Sequence, residues 1–224
     1  MTSSIPKIIH YFDYKSPYAY LAQEEVFRLH VDTGQNVEWL PHTLDIPSFL
    51  GAAELDASGN DLIQTRNAHQ WRRVKYSYMD CRREANRRGL TLRGPRKIFD
   101  SSVAHIGFLY AKQHGDFKNY HQLVFEQFWQ RKLDIEDPTA IQSALQQSGI
   151  DANGFVKYLN GNGPDELRQI QQHAEASGVF GVPSYLIGDE LFWGGEHIGH
   201  IRELSGLKPS GLELPGLKPP GLEQ

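Results

Sequence analysis

The 224-residue chain has a single cysteine, Cys81. That excludes an internal disulfide, a C-x-x-C redox pair and a cysteine-rich zinc site. It also lacks a long apolar run, and no stretch approaches the roughly 20 residues needed to cross a bilayer. Residues 1–6 are short and polar, and Ile8-Ile9-His10-Tyr11-Phe12 is too brief for the apolar core of a secretion signal. The expectation is a soluble, cytoplasmic protein without a membrane partner. An excess of one charge is missing too: 23 Lys and Arg face 27 Asp and Glu, a net −4. Nothing in that balance attracts nucleic acid or an anionic membrane surface. Ten histidines show no metal-ligand spacing, so no metal is expected. What is there, 39% apolar and 22% charged residues, belongs to a globular chain long enough for a sizeable core.

The first forty residues read as strand, helix, strand. Residues 7–12 are β-branched and aromatic. Ser16-Pro17 is a helix start, because Ser caps exposed N–H groups and Pro suits the first helical position. Tyr20, Leu21, Val26, Phe27 and Leu29 carry an apolar stripe to a stop at Gly34, and residues 37–40 alternate as a second strand. A βαβ unit of this size implies a parallel pair with a right-handed crossover. From residue 45 to 177 strand signal nearly vanishes and helical patterns follow one another over 60–88, 101–114, 120–131, 138–147, 151–159 and 164–176. Strand signal returns at 184–187 and 190–193 around the turn Gly188-Asp189, and a helix over 196–204 closes the unit. The expected fold class is α/β: a thioredoxin-like domain (βαβ…ββα) with a large all-helical insertion. Its parts are residues 1–43 and 178–204 for the first domain and 44–177 for the insertion. Residues 205–224 form a Gly/Pro-rich tail whose glycines recur every five residues, each followed by Leu; disorder or an extended docking arm is expected there.

Two points can carry chemistry. At Ser16-Pro17 a strand turns directly into a helix, whose free N–H groups and positive dipole end can hold an anion or favour a thiolate. From this segment alone, Ser16 is either a simple cap or a hydrogen-bond donor to such a group. The second point is Gly178-Val179-Phe180-Gly181-Val182-Pro183-Ser184, where a cis or a trans Val182-Pro183 bond enters a strand.

Together these points resemble a known family. Tyr11-Phe12-Asp13-Tyr14-Lys15-Ser16-Pro17-Tyr18-Ala19-Tyr20-Leu21-Ala22 is similar to the F-D-x-x-S-P-x-x-Y-L-A opening of the 2-hydroxychromene-2-carboxylate isomerases. Gly178 to Leu186, followed by Leu191-Phe192-Trp193-Gly194, resembles that family's closing signature, and both motifs occur in kappa-class glutathione transferases. Both groups belong to the DsbA-like branch of the thioredoxin superfamily. The helical middle agrees chiefly at Tyr76 and Asp80. The resemblance implies glutathione as the cofactor. It gives Ser16 the catalytic hydrogen bond to the sulfur, and Val182, before a cis Pro183, a strand-like pairing with the tripeptide. Trp193, Gly194, Gly195 and Glu196 complete the implied cofactor site. The family has an Asp-Arg pair where this chain has Glu196-His197, so the amino-group role passes to Glu196 and none is assigned to His197.

The stretch 66–97 holds eleven Lys and Arg against Asp80 and Glu84. Most of these read as a solvated helix face. Arg73 and Lys75, beside the Tyr76 and Asp80 match, are expected with Tyr18, Tyr76 and Asp80 to form the site of a small-molecule substrate, the two cations meeting its carboxylate. Cys81 reads as a quiet, partly buried thiol. The expected activity is a glutathione-dependent cis-trans or ring-opening isomerisation of an aromatic or unsaturated keto acid. A kappa-like transferase or peroxidase and a non-catalytic thioredoxin-fold binding protein are the alternatives. Relatives imply a homodimer.

Overall fold

The turn that ends the first strand organises everything after it. In the computed structural model, which describes residues 7–205, β1 (Ile8–Phe12) runs into Asp13, whose carbonyl accepts the Ser16 amide at 3.0 Å. α1 (Pro17–Thr33) starts at once: Ser16 has extended dihedrals, its Oγ accepts the Ala19 amide, and Pro17 occupies the first turn. Gly34 ends α1 in the left-handed conformation at φ 62°, where an L side chain would be strained. β2 (Val37–Pro41) then lies parallel to β1, Ile8 opposite Val37.

The chain returns to this sheet only after more than a hundred residues. β5 (Ser184–Ile187) pairs antiparallel with β1, and β6 (Glu190–Trp193) pairs with β5, so the strand order is β2-β1-β5-β6. A single 3₁₀ turn, Gly195–His197, leads into the last helix, Ile198–Leu204.

Between β2 and β5 lies the insertion. Its helices are α2 (Ile46–Leu50), α3 (Ala68–Arg87), α4 (Ser102–His114), α5 (Phe117–Trp129), α6 (Pro138–Gln147), α7 (Phe155–Leu159) and α8 (Gly163–Ala176), and the terminal Ile198–Leu204 helix is α9. The insertion differs from the sequence expectation in one respect: it is not helical throughout. β3 (Ala53–Leu55) and β4 (Asp61–Gln64) form an antiparallel hairpin turned at Gly59, φ 91°. The helix expected from residue 60 begins instead at Ala68. Asn67 accepts the His69 and Gln70 amides there, and Gln70 bonds back to the Asn67 amide in a reciprocal capping box. That local signal outweighs the weak helical periodicity before it. α5 likewise starts earlier than its aromatic stripe, because Asp116 caps Lys118.

The core joins insertion and sheet. Phe12 meets Phe108 of α4 at 4.8 Å and His121 of α5 at 4.5 Å, while Trp39 of β2 lies between Phe27 at 4.5 Å and His121 at 5.0 Å. Gly107 lets α4 approach α5: a Cβ there would fall 2.7 Å from Ile141 Cγ2 and against the Tyr120 hydroxyl. No described helix is long and apolar enough to cross a membrane. The Gly/Pro repeat beyond Ser205 lies outside the described residues.

Candidate active site

The two sequence points converge. Ser16 Oγ, while capping the α1 amide of Ala19 at 3.2 Å, donates to the Val182 carbonyl at 3.3 Å. Residues 166 positions apart thus share one hydrogen bond at the N-terminus of a helix. The Val182-Pro183 bond is cis, and the Pro183 carbonyl accepts the Gly194 amide at 2.9 Å, tying the start of β5 to the end of β6. The hydroxyl is buried and donates only to one acceptor at 3.3 Å, so a better acceptor can take over its hydrogen bond at little loss.

Glycines shape the rim. At Gly181 a Cβ would come within 2.7 Å of Trp193 Nε1, so Trp193 lies flat over the loop with Phe180 beside it at 5.1 Å. Both rings are more than half exposed, at 51% and 64%. Gly194 has φ 110°, and a Cβ there would strike the Glu196 carboxyl group, with Cδ at 2.5 Å. Glu196 is thereby folded back towards the sheet. Beneath it, Tyr185 is wholly enclosed with an unpartnered hydroxyl; burial first, and the Glu196 charge second, push its ionisation far up. Gly195 packs on Ala22 of α1 at 3.6 Å.

Tyr18 extends from the first turn of α1 to α3, its hydroxyl beside Ser77, Asp80 and Cys81, and burial raises its ionisation. Cys81 itself is 1% exposed, and burial pushes its thiol up to about 12, so it is not a nucleophile at neutral pH. The structure therefore brings Ser16, Val182, Pro183, Trp193, Gly194, Gly195 and Glu196 around one corner, with Tyr18 and Asp80 alongside. Tyr76 stands exposed on α3, and Asp80 also faces Arg83 at 3.7 Å. Lys75 goes elsewhere: its ammonium lies over Trp71 at 5.9 Å, with Arg66 on the same ring at 5.0 Å. Arg73 is exposed to solvent. Among the described residues neither cation has a hydrogen bond or ion pair to the Ser16 corner.

A buried ionic cluster behind Ser16 went unread in the sequence. Asp13 is fully enclosed and accepts the Lys15 amide at 3.1 Å, the Leu44 amide at 2.8 Å and the Ser101 hydroxyl at 2.5 Å. Lys15 Nζ and His105 Nε2 each approach it at 3.4 Å. Burial opposes its charge, but Lys15, His105 and the Leu44 amide together hold its carboxyl well below the usual range. The cluster locks the 13–16 turn onto β2 and α4. His42, at the end of β2, adds a buried Nδ1 without a partner, and burial lowers its pKa. The available signal was the charged pair Asp13 and Lys15 within an otherwise apolar stretch.

Comparison with known proteins places this architecture. The model of the DSBA-like thioredoxin domain matches residues 7–204. The chain is 29% identical over 194 residues to a 2-hydroxychromene-2-carboxylate isomerase of Pseudomonas putida, covering 84% of this chain and 88% of that one. A solved 2-hydroxychromene-2-carboxylate isomerase superimposes with a TM-score of 0.67 at 22% identity, covering 89% of this chain and 94% of that one. The cytosolic disulfide reductase DsbM of Pseudomonas aeruginosa, solved with GSH, gives 0.57 at 14% identity, covering 89% and 96%.

Proposed function

This chain belongs to the DSBA-like thioredoxin domain family, and from that membership we propose a glutathione-dependent isomerase acting on an unsaturated or aromatic keto acid. The observation that carries the reading is the Ser16 hydroxyl at the N-cap of α1, bonded only weakly to Val182. Disulfide exchange at this corner would need a sulfur that Ser16 does not have. A borrowed thiol fits the same geometry, and the curated relative named as an isomerase supports the reading.

The residues present suit glutathione. Ser16 would turn its hydroxyl from the Val182 carbonyl to the thiol sulfur, where the helix dipole also favours the anion. Val182, freed of that bond, would pair its backbone with the tripeptide. Glu196, folded over the Gly194 cradle, would receive the ammonium group. Tyr18, Phe180 and Trp193 would offer exposed ring faces to the unsaturated substrate and hold it over the sulfur. When bound, glutathione supplies a thiolate that adds reversibly to a conjugated carbon and leaves after bond rotation.

The test is a thermal melt of the full chain with glutathione, followed by turnover of Ser16→Ala. At a concentration about 100-fold above Kd, binding contributes about 2.7 kcal/mol. For a chain of this size that raises Tm by about 5–10 °C. Ser16→Ala should then lose turnover well beyond its loss of glutathione affinity. An unmoved melt at millimolar glutathione, or full turnover without the hydroxyl, overturns the proposal. Conjugation of a generic aryl chloride at a rate matching isomerisation would shift the reading to a kappa-like transferase.

A further inference from the structure

A second cleft lies in the helical insertion, between the loop that follows α3 and the turn that follows α5. It encloses about 430 Å³, within the usual range of small-molecule sites. Its apolar lining is Phe99 and Phe128, whose rings meet edge to face at 5.4 Å and 89°, with the Lys97 ammonium over the Phe99 ring at 4.7 Å. Its rim carries Arg96, Arg131 and Lys132 against the one acid Asp134. In a chain of net charge −4, this is a local positive site beside an aromatic lining.

The walls are held in place without a ligand. The Arg93 amide donates to the Trp129 carbonyl at 2.9 Å, and Lys97 is ion-paired with Glu136, which also accepts the Asp100 amide at 2.7 Å. Arg131 is fixed at the rim: its Nε donates to the Gly94 carbonyl at 2.7 Å, and Nη2 bonds the same oxygen. Among the described residues it is the one non-glycine with positive φ, 59°. Such a conformation is retained where surrounding contacts over-determine it, and here it brings the guanidinium to the Gly94 carbonyl beside the cleft. Lys97 is committed to Glu136, whereas Arg96 and Lys132 have no ion pair among the described residues. Two unengaged cations, a fixed guanidinium and a preformed apolar lining together describe the recognition of one ligand class.

We propose that this cleft binds a flat aromatic anion, an aryl carboxylate or sulfonate, separately from the Ser16 corner. The ring would lie against Phe99 and Phe128 and the acid group would face Arg96, Arg131 and Lys132. The proposal does not depend on the glutathione reading.

The experiment is a fluorescence titration of the full chain with 8-anilinonaphthalene-1-sulfonate and, in parallel, its neutral analogue N-phenyl-1-naphthylamine. With glutathione present at saturation to fill the Ser16 corner, one saturable site is expected for the sulfonate, with the neutral analogue up to about fivefold weaker, as loss of rim ion pairs implies. Arg96→Gln with Lys132→Gln should weaken the sulfonate by a similar factor and leave the neutral probe and the melting temperature unchanged. The conservative pair Arg96→Lys with Lys132→Arg should keep the affinity, which separates charge from packing should the first pair unfold. Ser16→Ala and saturating glutathione should leave binding untouched. Equal binding of the two probes, an unaffected double variant, or displacement by glutathione would each overturn the proposal.

Discussion

Lowering the pH from 6.5 to 5.5 should destabilise this protein by at least about 2 kcal/mol, the part due to two histidines sealed in its core. His10 on β1 is wholly buried, donates Nδ1–H to the Ser184 carbonyl at 3.3 Å and has no partner at Nε2. Burial lowers its pKa to about 3, against which the Ser184 bond acts only weakly. His121 on α5 lies among Phe12, Trp39 and Phe125, and burial, with His10 and His105 adding, holds it well below its ordinary value. Both rings therefore stay neutral in the folded protein while the unfolded chain takes up protons below about 6.5. With the native pKa far lower, the magnitude depends only on the unfolded value. Each ring contributes about 1 kcal/mol of lost stability between pH 6.5 and 5.5, and about 1.3 in the next unit. The stability is complete above pH 6.5 and lost on acidification. Urea unfolding followed by tryptophan fluorescence reads this directly, because 2 kcal/mol moves the midpoint by about 0.7–1 M. His10→Phe, whatever its effect at pH 7.5, should remove about 1 kcal/mol of that loss, a third to a half of the pH slope, because burial also lowers the pKa of His42. A midpoint that stays level from pH 6.5 to 5.5, or a slope unchanged by His10→Phe, refutes the reasoning.

Other consequences can be checked together. Cys81 should resist a thiol reagent at pH 7.5 in the native protein and react once in urea, since burial keeps its proton on; fast native labelling would contradict the packing of α3 on α1. Gly107→Ala should cost about 1–3 kcal/mol, because the new methyl meets Ile141 and displaces Tyr120 from its bond to the Ala104 carbonyl; a calorimetric melt lowered by several degrees is expected. Glu196→Gln should weaken glutathione by about two- to fivefold with little change in Tm, the effect of removing one exposed charge partner; unchanged affinity by titration calorimetry would move the amino-group role elsewhere.

Much of the fold was legible because its signals are local. Ser16-Pro17, Asp137-Pro138 and Gly34 mark helix ends through contacts within a few residues, and each end lies where the sequence puts it. The β5–β6 hairpin was equally readable, as two short apolar runs about Gly188. The β3–β4 hairpin was not, since Leu62-Ile63 in a polar stretch carries little periodicity and its pairing with β3 crosses the Gly59 turn. At the candidate site, the motif residues lie together, whereas Lys75 and Arg73 lie apart from them. Lys75 was assigned by nearness to Tyr76 along the chain, whereas on the helix it is drawn to Trp71, four residues back. In the sequence Asp13 is one motif letter among several, because its partners Ser101, the residue before α4, and His105, on α4, are far along the chain.

By itself, the sequence determined which atoms could react. A serine stands at the helix start where related folds can place a sulfur, and the lone thiol lies elsewhere. It also determined where helices begin and end, since capping and turn geometry depend on neighbours in the chain. Only the tertiary structure decided what those atoms meet. It joined Ser16 to Val182 across 166 positions, enclosed Asp13 with Lys15 and His105, and sealed His10 and His121 away from water. Capping acts over one turn of helix. Burial and long-range pairing exist only in the folded chain, and these set the charge states of its buried groups.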